Sequence, residues 1–276
     1  MNVNRKRLTQ VALDALTLLV AALLLFPILW VAVSSFKPEG DILAAGLIPR
    51  AFTLEHYRAV LGEAAFVRAL GNSLIVGLAS ALIAIAVALP AAYALARFQF
   101  RGREQLGLLV LSTQMLPSVA ILVPLVVIMR TLELSNTLTG LVITHLTLGL
   151  PIAVWMLRGY FDSIPRDLEE AAWIDGASQT QALLRIVLPL MAPAVVAVAT
   201  FAFVLSWGEY VLALSLVSST QSKTLPLALQ ALFDPYSFSW GQVMAGGVII
   251  AVPAVALFLV FRRYLIGGLV SGGVKG

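Results

Sequence analysis

Residues 71–96 read GNSLIVGLASALIAIAVALPAAYALA, running from Gly71 to Ala96 without one charged side chain. A helix needs roughly 20 predominantly apolar residues to cross the hydrocarbon core of a bilayer, so this run predicts a transmembrane helix. Five comparable runs lie near residues 11–33, 106–130, 138–158, 191–217 and 242–264. The predicted fold class is an all-α membrane protein with six transmembrane helices, organised as a single transmembrane domain over residues 1–276. Composition agrees: the chain is 60% hydrophobic and 12% charged, whereas soluble domains run near half apolar and a quarter charged. The first run follows Arg5, Lys6 and Arg7. It is longer than a typical signal-peptide core and lacks a convincing small-residue cleavage site, so it is expected as a retained helix.

Cysteine is absent, which excludes disulfides, thiolate metal sites and cysteine nucleophiles. The net charge of +4 is scattered between apolar runs. It forms no basic stripe with interleaved aromatics, so no nucleic-acid partner is expected. Basic side chains instead report topology, because Lys and Arg are retained on the inner side of short loops. With the N-terminus inside, twelve of the eighteen fall on inner segments, among them Arg97, Arg101, Arg103, Arg158, Arg166, Arg185 and Lys275, and six on outer ones. Both termini are therefore expected in the cytoplasm, with residues 34–69 as the main outer loop. Pro90, Pro117, Pro124, Pro193 and Pro253 lie inside the runs. Each removes a backbone donor and is expected to bend its helix, or else reflects only the higher proline content of membrane helices.

The stretch 163–189 carries the most local information. Asp167 with Glu170 three residues later reads as a capping box, Gly176 as a helix stop, and Ser178 with Gln181 as a second box that restarts a helix bounded by Pro189. Two short helices meeting at a corner are expected on the cytoplasmic face.

Glu170-Ala171-Ala172, Gly176 four residues later, and Ile186-x-Leu188-Pro189 resemble the EAA signature of bacterial binding-protein-dependent ABC importer permeases. Phe26-Pro27, the stretch Ala92-Tyr93-Ala94-x-Ala96-Arg97-Phe98 and the terminal residues from Ser271 to Gly276 are similar to the MalG-type permeases of carbohydrate importers. The resemblance implies a coupling helix that docks on an ATPase subunit through Glu169, Glu170, Ala171, Ala172, Asp175, Gly176 and Ala177. It further implies a second homologous permease, two ATPase subunits, and an extracytoplasmic sugar-binding protein or lipoprotein, with the chain multi-pass in a bacterial or archaeal plasma (inner) membrane. The loop 34–69, with Tyr57 and mixed charge, is expected to receive that receptor, or else is an ordinary solvated loop.

No Gly-x-x-x-x-Gly-Lys-Ser/Thr cradle is present. The chain is therefore expected to be no enzyme and to bind no cofactor, with ATP and Mg on the partner subunits. No His-Glu-x-x-His site is present either, and neither a catalytic nor a metal residue is assigned. Candidate solute-path residues are the polar and aromatic groups at membrane depth: Asn72, Thr113, Gln114, Trp207, Glu209 and Tyr210. Glu209 reads as an acceptor for sugar hydroxyls, a partner for a residue of the second permease, or a carboxylate solvated at the outer interface. Trp207 and Tyr210 read as sugar platforms or interfacial anchors. His145 is expected to be a hydrogen-bonded packing residue. The cargo that the resemblance implies is an α-glucoside such as maltose or trehalose. A polyol or glycerol phosphate importer is the nearest alternative, and a stand-alone secondary transporter is the rival outside the class.

Overall fold

The computed structural model describes residues 2–43, 46, 49–234, 236 and 238–273, and among these there are helices and connecting turns but no strand. In chain order the helices are α1 (Asn2–Ser34), α2 (Glu55–Gly62), α3 (Ala64–Arg97), α4 (Arg103–Ser112), α5 (Ser118–Thr131), α6 (Leu138–Ser163), α7 (Asp167–Ile174), α8 (Gln179–Ala182), α9 (Leu188–Trp207), α10 (Val211–Leu216), α11 (Leu225–Ala231) and α12 (Trp240–Gly273). Among the described residues, five helical stretches are long and apolar enough to span a membrane, and the bent pair α4–α5 makes a sixth if counted as one span. The all-α membrane class read from the sequence holds.

The third span, the fifth span and the outer loop differ from expectation. The predicted third span, 106–130, is broken: Arg103–Met115 and Val119–Thr131 meet at 98°. Pro117 stands at the break, in extended backbone at ψ 128°, where its missing donor and the restriction it places on Leu116 end the first piece. Pro90, Pro124, Pro193 and Pro253, by contrast, lie inside helices that continue past them. The predicted fifth span, 191–217, starts earlier and ends earlier, as a helix over Gln179–Trp207, and 211–216 form the separate α10. The predicted outer loop, 34–69, holds a 3-10 turn at Glu39–Asp41, all of α2 and the start of α3. The terminal residues 274–276, with Lys275, lie outside the described residues.

The chain divides into two compact units, one of residues 1–67 with 229–252, the other of 68–228 with 253–276. In the first, the apolar window of α1 is not buried at all, as suits a helix facing lipid or another subunit. Beyond α1 the polar groups turn inward. Lys37 is buried, its Nζ donating to the Gly46 carbonyl at 2.5 Å and lying 4.7 Å from the Trp30 ring.

In the second unit α3, α6 and α9 share a core of Ala88, Ala92, Tyr93, Leu157, Phe161, Met191 and Val198. Ala84, Ala88, Ala92 and Ala96 recur every fourth residue along α3 and are all essentially inaccessible. Small side chains at this spacing let helix backbones approach closely where no hydrophobic force distinguishes protein from lipid. Gly77 has the same use: a methyl group there would come within 2.9 Å of the Phe203 ring. A second cluster joins Val76, Met129, Leu141, Ala213, Leu216 and Leu227.

Candidate coupling site at the corner between α7 and α8

The stretch 163–189 folds into a helix, a sharp corner and a second helix. At the start of α7 the expected Asp167–Glu170 capping box does not form. Arg166 occupies the N-cap without a side-chain cap, and Asp167 is already the first helical residue. Asp167, Glu169 and Glu170 still lie in the first turn, where acidic side chains offset the exposed N–H groups and the helix dipole. At the other end the amide of Gly176 donates to Trp173 O at 3.0 Å and that of Ala177 to Ala172 O at 2.9 Å. This is the paired Schellman arrangement, which requires a left-handed residue. Gly176 supplies it at φ +87°.

The second box forms as read, Gln181 N to Ser178 Oγ at 3.2 Å and Ser178 N to Gln181 Oε1 at 2.9 Å. Pro189 does not end that helix. A π-turn over Leu183–Val187, closed by the Leu188 amide on Leu183 O, carries α8 into α9. The wider turn accommodates a proline that can neither donate nor tolerate the carbonyl four residues back.

Helical periodicity splits the signature into two faces. Glu169 and Ala172 point inward and are buried, at 2% and 6% exposure. Glu170, Ala171, Asp175 and Gly176 are exposed, and Ala177 is half-buried. Leu168 and Trp173, flanking the buried face, are about two-fifths exposed, and Ile174, which points away from it, is 86% exposed. The corner thus presents apolar side chains to its surroundings from a base that is tied down.

The tie is ionic. Glu169 accepts from Arg97 Nε at 2.5 Å on one oxygen and from the Tyr93 hydroxyl at 2.9 Å on the other. Arg97 also donates to the Ile164 carbonyl at 3.0 Å, and Arg166 returns a bond to the Ala96 carbonyl at 2.8 Å. The Tyr93 ring packs edge-on against Phe98 and Phe161. In the sequence Arg97 reads as a topology marker and, with Tyr93, as part of a family stretch, with no contact assigned to either. A basic residue closing an apolar helix carries no sign of which carboxylate it will meet.

The solute-path candidates are distributed as follows. Asn72 Nδ2 donates to the carbonyls of Gln221 and Lys223 at 2.8 and 2.9 Å, and the adjacent Ser73 Oγ accepts from the Leu225 amide. Together they hold the segment leading into α11. Thr113 and Gln114 lie in the 3-10 turn at the break of the third span, Thr113 Oγ1 donating back to Val110 O and Gln114 Nε2 reaching Leu148 O at 3.3 Å. Trp207 is buried and stacked on Phe203 at 5.5 Å, and Tyr210 is half-buried at the start of α10. Glu209 stands in the turn between α9 and α10 rather than inside a span. Its two oxygens accept the amides of Leu212 and Ala213 at 2.8 and 3.0 Å. His145 approaches the same carboxylate to 3.5 Å through Nε2 and bonds Ser206 Oγ at 2.7 Å through Nδ1. His145, Ser206 and Glu209 are brought together; Asn72, Thr113 and Gln114 share no bond with them.

Residues 84–269 match the family described as binding-protein-dependent transport system inner membrane component. The chain is 36% identical over 260 residues to the trehalose transport system permease protein SugB of Mycobacterium tuberculosis, covering 94% of this chain and 95% of the relative. It is 38% identical over 254 residues to the sulfoquinovosyl glycerol transport system permease protein SmoH of Agrobacterium fabrum, covering 91% and 89%. The fold is shared with a chain in the crystal structure of a bacterial ABC transporter involved in the import of the acidic polysaccharide alginate, with a TM-score of 0.80 and 23% identity over 96% of this chain and 99% of that one. The corner, its buried base and this match over two thirds of the sequence agree: the chain belongs to the family of multi-pass inner-membrane components of binding-protein-dependent transport systems.

Proposed function

We propose that this chain is a permease subunit of an ATP-driven sugar importer, forming half of the translocation pathway as one transmembrane domain and taking its motion from a separate ATPase through the corner at Gly176. What carries this is the contrast at α7. Its inner face is fixed by a buried carboxylate, while Trp173 and Ile174 stand exposed beside a left-handed glycine. Exposed apolar side chains outside the spans are the groups a protein partner covers. Burying an isoleucine side chain contributes about 2 kcal/mol, so Ile174→Ala should weaken docking by a factor of ten or more. Glu170, Ala171, Asp175 and Ala177 border that contact. ATP and Mg belong to the partner. The complete assembly adds a second permease and an extracytoplasmic sugar-binding receptor, with both termini of this chain in the cytoplasm.

An α-glucoside such as trehalose or maltose is the cargo we favour, supported by the relative named for trehalose transport. Another relative of equal similarity is named for sulfoquinovosyl glycerol, in keeping with a docking corner that serves the motor and leaves the solute unspecified. Glu209, Trp207, Tyr210, Asn72, Thr113 and Gln114 act, in this reading, through the shape of the path, since most of their polar atoms already have partners within the chain.

The naturally cysteine-free sequence allows a direct test. Ile174→Cys, alkylated with a maleimide-linked benzophenone and irradiated in the complex reconstituted with its ATPase subunits, should photo-cross-link to the ATPase and to no other component. Loss of that adduct in an otherwise assembled complex would overturn the assignment. Receptor-dependent stimulation of ATP hydrolysis by trehalose or maltose, and by neither glycerol phosphate nor a polyol, is expected for the cargo.

A further inference from the structure

The bonds beneath α7 do more than hold a loop in place. Glu169, Tyr93 and Arg97 belong to segments more than 70 positions apart, and Glu169 is 2% exposed with both oxygens engaged. The exchange is reciprocal. Arg97, at the end of α3, reaches the carbonyl of Ile164 just before α7, and Arg166, just before α7, reaches the carbonyl of Ala96 near the end of α3. Removing one partner of such a pair leaves an uncompensated charge in a dry site, so the contact resists opening. Besides this clamp, the eight-residue α7 packs against α8 and the Leu183–Val187 turn that leads into α9; the clamp is its link to α3.

We infer that Glu169 is a positioning residue for transport: it fastens α7 to the inner end of α3, so that displacement of the docked corner is delivered to the second span as well as along the chain into α9. The inference rests on the proposed docking of the corner. Under it α7 and residues 93–97 move as one body through the cycle and the clamp stays closed. The alanine stripe of α3, packed against the core shared with α6 and α9, then carries the movement into the helix bundle.

The full complex in proteoliposomes tests this through the number of solute molecules moved per ATP hydrolysed. That ratio is insensitive to how much complex assembles, because a merely structural defect lowers uptake and hydrolysis together. Glu169→Gln keeps the side-chain volume and removes the charge, and it should lower the ratio at least fivefold with hydrolysis within twofold of the parent. Tyr93→Phe should give a smaller drop in the same direction. The double variant Arg97→Cys/Glu169→Cys should be uncoupled, and a short bis-maleimide bridge between the two cysteines should restore the ratio to at least half that of the parent. An unchanged ratio in Glu169→Gln, or a bridge that leaves the double variant uncoupled, overturns the inference. The Ile174→Cys adduct, measured in the same preparations, separates the two ideas: its loss counts against docking, and its retention with an unaltered ratio counts against the clamp alone.

Discussion

Glu39 accepts the backbone amide of Gly241 at 3.0 Å, 202 positions along the chain. The same carboxylate takes the amide of Trp240 and the hydroxyl of Ser239, both at 2.7 Å, while Ser239 Oγ in turn accepts from Gln242 N at 3.2 Å. Three otherwise orphaned donors at the start of α12 are satisfied by one serine and one distant glutamate. Burial pushes the Glu39 carboxyl up, but the bonds from Ser239, Gly241 and Trp240, with the charge of His56, outweigh it and hold the group below the ordinary carboxylate value. A depressed value means the unfolded chain binds the proton more readily. The stabilisation is therefore complete above the ordinary value of 4.5 and is lost as pH falls through the lower, folded one. Amide exchange at residues 240–242, corrected for intrinsic rate, should speed up as pH falls below the ordinary carboxylate value, by roughly two- to fivefold, the range for a charge at an exposed helix terminus. Glu39→Gln should remove the pH dependence.

His56 closes the same cluster from the other side. Its Nε2 pairs with the Lys37 carbonyl at 2.8 Å, its Nδ1 lies 3.9 Å from Glu39, and its ring occupies the space a side chain on Gly241 would need. Gly241→Ala should cost about 1–3 kcal/mol through overpacking. In a His56→Ala background the same change should cost much less, because the ring is gone. Equal costs in the two backgrounds, measured by thermal unfolding of the purified protein, would show that the contact does not limit this position.

The spans were legible because uninterrupted apolar runs of about 20 residues have few other uses. Their interruptions were not. Pro117 and Pro124 look alike in sequence, yet only the first marks a break, because what decides is whether neighbouring turns can absorb the missing bond. At the corner, Gly176 and the Ser178–Gln181 box were readable from local chemistry alone. Glu169 was not distinguishable from Glu170: adjacent helical residues point about 100° apart, and which one is buried depends on where α3 lies. The same holds for Glu209. Its burial and its role capping α10 follow from the helix ending at Trp207, and Gly208 alone did not announce that end.

Gly176 isolates backbone strain from packing, since a methyl group there would meet nothing within 4 Å at φ +87°. Gly176→Ala should therefore cost about 1 kcal/mol at the corner, Gly176→Asn less, and Gly176→Val more, following the steric preferences of the left-handed region. Exchange at the Gly176 and Ala177 amides, which close the turn, should rise from the asparagine through the alanine to the valine variant. If alanine and asparagine both match glycine, the left-handed geometry is not what the corner requires.

Asn136 provides the sharpest separation of strain from bonding. It sits at φ +60°, and its Oδ1 accepts the amides of Ser218 and Ser219 at 2.6 and 3.0 Å. Its Nδ2 donates to Ser218 Oγ at 2.9 Å, its own amide bonds Leu216 O, and its carbonyl accepts from Ser222. One residue thereby staples the turn before α6 to the turn after α10. Asn136→Ala loses the side-chain bonds and strains the backbone, for a combined cost of about 2–4 kcal/mol. Asn136→Gly relieves the strain and still loses the bonds. Asn136→Asp keeps the acceptor and loses only the donor to Ser218. Proteolytic nicking within residues 216–222 should accordingly increase in the order Asp, Gly, Ala. Glycine performing as well as asparagine would mean that the left-handed backbone, rather than the side-chain network, makes this residue necessary.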